Sequence, residues 1–220
     1  MTAASPHTTG RVLHWATGYD ALVWFVTLGR ERAFREKMLN LAHIVPGEWV
    51  LDVGCGTGTL AIAAKRLVGP AGAVYGIDAS EQMIARASKK AAKARVDIGF
   101  KHAVVEALPF GDAQFDVVLS TLMLHHLGRK ARQQCAREIR RVLKPDGRVL
   151  VVDFGRPQQK HGFMAHFHRH GYVDVRDIVT VLGEAELKTI ESGAVGVKDL
   201  QFVLASPVSA LGNGSTREAT

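Results

Sequence analysis

The sequence predicts an α/β domain: a doubly wound, mostly parallel seven-stranded sheet finished by a C-terminal antiparallel hairpin. Three observations predict it. Short apolar runs alternate with amphipathic stretches, a glycine-rich turn leads straight out of the first run into a helix, and another glycine-bearing turn separates the last two runs. Strands joined through helices pair in parallel with the helices covering both faces, whereas strands joined by a short turn pair antiparallel.

In chain order, residues 49–53, 73–77, 98–103, 115–120 and 148–152 read as strands. Between them, residues 59–67, 80–93 and 130–142 repeat apolar side chains at three-and-four spacing, the period of one helix face, and Ser80 ahead of Gln82 and Met83 marks a helix start. Pro145-Asp146-Gly147 signals a turn before the fifth strand, with Lys144 at the end of the preceding helix. A polar, histidine-rich section over residues 156–171 precedes a helix at 173–182. Strands at 187–192 and 200–205, separated by a turn around Gly193 and Gly196, close the domain, and residues 206–220 read as a disordered tail. A chain of 220 residues builds one core, so residues 1–205 are expected to form a single domain.

A hydrophobic fraction of 47% beside 22% charged residues excludes a disordered polar chain. No apolar run is long enough to span a bilayer, and the stretch from Met1 to Pro6 lacks the basic-then-apolar order of a secretory leader, so a soluble cytoplasmic protein is expected. Two cysteines, Cys55 and Cys135, are too few for a disulfide framework or a four-cysteine zinc site. The net charge of +7 favours anionic partners without choosing among nucleic acid, phospholipid and acidic metabolites, and solvated helix faces account for most of the basic residues.

The most informative segment runs Asp52-Val53-Gly54-Cys55-Gly56-Thr57-Gly58. Glycines at alternate positions let a backbone adopt positive φ and approach a ligand closely. A dinucleotide fingerprint needs its third glycine where Thr59 stands, which disfavours a dehydrogenase. Asp52, inside a buried strand, is costly without a partner; a cationic ligand or exposed amides would satisfy it. Asp78 ends the second strand, where a doubly wound fold places the acid that binds ribose hydroxyls, so a nucleoside ligand is expected. Alone, Asp78 would equally read as a cap for the helix near Ser80.

These segments, with Glu106-Ala107-Leu108-Pro109-Phe110, Phe115-Asp116-Val117-Val118 and the stretch from Arg137 to Gly147, resemble the successive motifs of the class I S-adenosylmethionine-dependent methyltransferases. Tyr19-Asp20, Leu28-Gly29, Leu108-Pro109-Phe110, Val151-Val152-Asp153-Phe154 and Pro157 are similar to the ubiquinone/menaquinone C-methyltransferase branch. The resemblance implies a Rossmann-like methyltransferase fold, S-adenosyl-L-methionine as cofactor, a helical N-terminal cap over residues 15–45 and an acceptor-side segment over 154–186. It implies that the loop of Gly54, Cys55, Gly56, Thr57 and Gly58 lies under the methionine part of the cofactor, and Asp52 just before it is expected among the cofactor-binding residues. Asp78 would then bind the ribose, Ala79 and Met83 would flank the adenine with Val105 and Glu106 at its edge, Ser120 would lie beside the transferable methyl, and Tyr19 would close over the cofactor. Val104 departs from the pattern, since relatives often carry an aspartate there for the adenine amino group.

Methyl transfer needs no covalent nucleophile, but an acidic acceptor needs a base. The candidates are His126 first and His125 second, at the mouth of the fourth strand, unless one of them simply packs under the following helix. His161, His166, His168 and His170 form a cluster in which the pair four apart has metal-like spacing, yet no acidic or cysteine ligand lies nearby, and no metal is expected. The acceptor is expected to be a small or lipophilic molecule, a quinone-like ring or an amine headgroup. The apolar run from Ala21 to Val26, followed by Arg30, Arg32, Arg35 and Lys37, would suit transient contact with an anionic membrane surface, or ordinary core packing. Nucleic acid is disfavoured because Ser120-Thr121-Leu122-Met123 lacks the Asn/Asp-Pro-Pro-aromatic tetrad of amino-methylating enzymes, although the charge leaves RNA open. A module that binds the cofactor without catalysis remains the alternative, and the oligomeric state is not fixed by the sequence.

Overall fold

The computed structural model describes residues 31–155, 172–197 and 199–208. The first described helix, α1 (Glu31–Leu41), precedes two strand–helix units, β1 (Trp49–Val53) with α2 (Thr59–Val68) and β2 (Ala73–Asp78) with α3 (Glu81–Ala94), after which β3 (Gly99–His102) leads by a loop to β4 (Phe115–Thr121). A short 3-10 turn, Leu124–His126, leads to α4 (Arg129–Val142), β5 (Leu143–Phe154), α5 (Val175–Glu184), β6 (Leu187–Ala194) and β7 (Leu200–Pro207). The seven strands form one sheet in the order β3-β2-β1-β4-β5-β7-β6. The first five pair in parallel, and β7 runs antiparallel between β5 and β6. The expected doubly wound sheet with its closing hairpin is therefore present.

Strand alternation sends side chains to two cores. Val50, Val117, Leu119, Leu150 and Val152 meet Met38 of α1 and Leu60, Ala61 and Ala64 of α2 on one face. Leu51, Val53, Val118, Val149 and Val151 meet Ala131, Cys135 and Ile139 of α4 and Ile178 and Leu182 of α5 on the other. Phe115, Leu51, Leu150 and Leu204 are fully buried, and each such side chain stabilises the fold by about 1.5–3 kcal/mol.

Two helix starts are set locally. Ser80 Oγ accepts from the Met83 amide at 3.4 Å, as the sequence predicts, and Asp174 accepts from the Arg176 amide at 2.9 Å, so α5 begins at Val175 rather than at 173. One expectation is corrected. Pro145-Asp146-Gly147 does not precede the fifth strand but lies inside it, because β5 already pairs at Leu143 with Phe115. The register then jumps to Arg148 opposite Val117, so the intervening residues bulge out and Pro145, which has no amide to donate, needs no ladder partner. Gly193 likewise belongs to β6, and the hairpin turns at Gly196, whose φ of +78° favours a residue without Cβ. β7 runs through Ser206 and Pro207, two residues past the expected end of the last strand.

Candidate functional site

β1 ends at Val53 and the chain passes into the glycine loop with φ of +71° at Gly54, +53° at Gly56 and +75° at Gly58. Gly58 is also the N-cap of α2. A Cβ at Gly58 would lie 2.8 Å from Phe100 and 2.9 Å from Ala87, and one at Gly54 would overlap Met123. The loop is tied to the neighbouring strand: the Cys55 amide donates to the Ile77 carbonyl at 2.8 Å and the Gly56 amide donates to Asp78 Oδ2 at 2.9 Å. Lys90 of α3 donates from Nζ to Thr57 Oγ1 at 2.8 Å, a support the sequence does not reveal because the two are 33 positions apart.

Asp78 closes a small cradle. Its Oδ1 accepts the Ser80 amide at 2.8 Å while Oδ2 holds Gly56, so it serves the following helix and the loop at once. Burial raises its pKa, and the amides of Ser80 and Gly56 and the nearby His102 oppose the rise. Asp52 is more perturbed. It is 1% exposed and neither oxygen has a hydrogen-bond partner among the described residues. Burial first and the Asp78 carboxyl second push its pKa up to about 8, and the facing Ala61 amide offsets this only in part. The Cys55 thiol is pushed well up by burial, which makes it a poor nucleophile. A third buried polar atom, Oγ of Ser120 on β4 directly beside Val53 of β1, has no partner among the described residues.

The loop, Asp78 with Ala79, and Ser120 thus lie at the carboxyl ends of the adjacent strands β1, β2 and β4, where an open parallel sheet binds ligands. Met83 is buried in the first turn of α3. Val105 and Glu106 follow β3 on the same rim. Val105 packs in the core with Ile77 and Leu108, and Glu106 is half-buried.

Beyond β4 the rim changes character. His125 donates from Nδ1 to Asp153 Oδ1 at 2.6 Å, with the two side chains 6% and 0% exposed. Asp153, at the carboxyl end of β5, also accepts the amides of His125 at 3.1 Å and Phe154 at 2.8 Å. His126 packs its ring on that of His125, centroids 3.9 Å apart. The sequence places His126 ahead of His125; the geometry pairs His125 with Asp153, a residue that the sequence ranking left out. Among the described residues no group of three or more His, Cys, Asp or Glu is placed to hold a metal. Tyr19, the run from Ala21 to Val26 with Arg30, and His161, His166, His168 and His170 lie outside the described residues.

Residues 50–147 match a family model described as a methyltransferase domain. A demethylmenaquinone methyltransferase of Lactobacillus johnsonii is 33% identical over 157 residues, covering 69% of this chain and 64% of the relative. A ubiquinone/menaquinone biosynthesis C-methyltransferase of Pseudomonas entomophila is 35% identical over 147 residues, covering 66% and 57%. The chain thus spans less than two thirds of the length of these relatives. A solved SAM-dependent methyltransferase from Aquifex aeolicus shares the fold at a TM-score of 0.69 and 24% identity, over 79% of this chain and 89% of that one.

Proposed function

We propose that this chain, which carries a methyltransferase domain over residues 50–147, uses S-adenosyl-L-methionine to methylate a ring carbon of a reduced, lipophilic quinone-type acceptor. The observation that carries the reading is the glycine loop bonded to Asp78 above the unsatisfied carboxyl of Asp52. The residues present fit that cofactor: a backbone without Cβ atoms offers close approach, an acid is poised for hydroxyls, and a buried carboxyl with no cation of its own answers a positively charged ligand. When bound, the cofactor supplies an electrophilic methyl on a sulfonium.

The loop from Gly54 to Gly58 receives the amino-acid end, Asp78 holds the ribose, Ala79, Met83, Val105 and Glu106 enclose the base, and Ser120 faces the reacting end. Holding the acceptor in line with the methyl supplies much of the acceleration, up to about 7–11 kcal/mol in well-oriented systems. A quinone-type acceptor is supported by the names of the relatives and by the rim over β4 and β5, where Met123 packs on the glycine loop and Phe154 meets His125 edge-on. Such an acceptor partitions into lipid, so the reading includes transient contact with an anionic bilayer through the N-terminal segment, where Arg32 is exposed. No helix among the described residues is long and apolar enough to cross a membrane.

The test is purified protein with radiolabelled S-adenosylmethionine and dithionite-reduced demethylmenaquinone, with phosphatidylethanolamine and RNA as parallel acceptors. Label in the quinone fraction is expected. Label only in the lipid amine or the RNA would overturn the acceptor, and failure to bind the cofactor would overturn the whole reading. Co-sedimentation with anionic vesicles checks the membrane contact.

A further inference from the structure

We propose that His125, through Nε2, is the general base of the methyl transfer and that Asp153 is its positioning residue, with His126 backing the ring. This rests on the methyl-transfer reading above.

The protonation pattern follows from the bonds. Both oxygens of Asp153 already accept backbone amides, from His125 and from Phe154, so the carboxyl acts as acceptor and Nδ1 of His125 carries the hydrogen between them. In the neutral ring that leaves Nε2 with its lone pair, and among the described residues Nε2 has no hydrogen-bond partner. The ring is confined by His126, tilted against it at 46° with centroids 3.9 Å apart, and by Phe154, which meets it edge-on at 5.5 Å.

The segment bearing the base is fixed to the cofactor side. Leu122 sits at φ +54°, an uncommon conformation for a branched side chain, and its amide is held by the Val152 carbonyl at 2.8 Å. Met123 then packs directly against Gly54 of the glycine loop. On the far side Arg132 of α4 donates from Nε to the Leu124 carbonyl at 3.0 Å. The charged groups around the base are Asp153 from β5 and Arg132 from α4, the latter also facing Asp177 of α5.

The step balances simply. A ring carbon of the quinol gains the bond to the methyl, the carbon–sulfur bond breaks, and its electron pair stays on sulfur as the neutral thioether. The proton lost from the quinol passes to Nε2, which becomes part of an imidazolium stabilised by Asp153 and then returns the proton to water.

The experiment compares wild type, His125→Ala, Asp153→Asn and His126→Ala, using cofactor affinity by calorimetry as the folding control. His125→Ala is expected to lose kcat by about 10²–10⁴-fold, to lose the acidic limb of the pH–rate profile and to recover partly with added imidazole, with cofactor affinity within about twofold of wild type. Asp153→Asn lowers kcat with little change in KM, and His126→Ala changes either by a few-fold at most. A His125→Ala enzyme with wild-type kcat and the same acidic limb overturns the proposal. Nitrogen NMR of histidine-labelled protein with S-adenosylhomocysteine decides the tautomer without any acceptor: Nδ1 protonated and Nε2 bare is expected, and the reverse overturns the base assignment. Absent turnover of reduced demethylmenaquinone by wild type counts against the acceptor alone, because the NMR result still decides the dyad.

Discussion

Cofactor binding should release a proton from Asp52. In the free protein its pKa is pushed up to about 8 by burial and by the Asp78 carboxyl, so at pH 7 the group is about nine-tenths protonated and at pH 8 about half. A bound cation that returns the carboxyl to its ordinary range would expel about 0.9 of a proton per molecule at pH 7 and about 0.5 at pH 8. Apparent affinity then rises by up to about tenfold per pH unit below pH 8 and levels off above it. The sign for stability is opposite. The folded free protein keeps a proton that the unfolded chain has lost above about pH 4, so its stability falls as pH rises and stops falling past the folded pKa of about 8. Asp52→Asn removes the titration: the free variant should melt with a flatter pH dependence, release no proton, and bind more weakly by about 1.5–3 kcal/mol for the lost charge-assisted contact. Calorimetry at pH 7 in two buffers of different ionisation enthalpy measures the release. An observed enthalpy independent of buffer would refute the reasoning.

Asp78→Ala should weaken cofactor binding by about 1.5–3 kcal/mol per lost bond and also loosen the loop, because Gly56 loses its acceptor; an unchanged dissociation constant would remove Asp78 from the site. Gly56→Val forces a branched residue to a φ of +53°, so cofactor binding should vanish and the free protein should lose about 1–3 kcal/mol; a folded variant that still binds would contradict the loop assignment. Arg141→Ala removes bonds to Glu138, Asp112 and the carbonyls of Leu108 and Phe110. The melting midpoint of this variant should fall by a few degrees for a loss of about 1–2 kcal/mol, with cofactor affinity nearly unchanged.

The parts of this molecule legible in the sequence are those whose cause is local. Gly54, Gly56 and Gly58 announce themselves by residue type, and Asp78 by its place at a strand end, because backbone conformation and strand length are written into a few neighbours. Pro145-Asp146-Gly147 misleads for the same reason: its local preference for a turn is real, but the pairing of Leu143 with Phe115 carries the strand around it. Asp153 and Lys90 answer partners 28 and 33 positions away, and only sheet order brings them there. Asp174 was open to detection, since an acid just ahead of an amphipathic stretch is an ordinary helix cap.

The placing of β7 between β5 and β6 has a consequence for how the protein is made. β5 carries Asp153, and its outer edge is closed only by residues 200–205, with Asp153 itself opposite Gln201. On the ribosome, the apolar stretch Val149 to Val152 therefore stays an unpaired strand edge until about fifty further residues have emerged, which takes seconds at ordinary elongation rates and invites pairing with another nascent chain. A chain stopped before Leu200 would keep its whole glycine loop yet be prone to aggregate. Pairing with β7 ends that exposure, so the aggregation hazard during synthesis lasts until the hairpin has emerged.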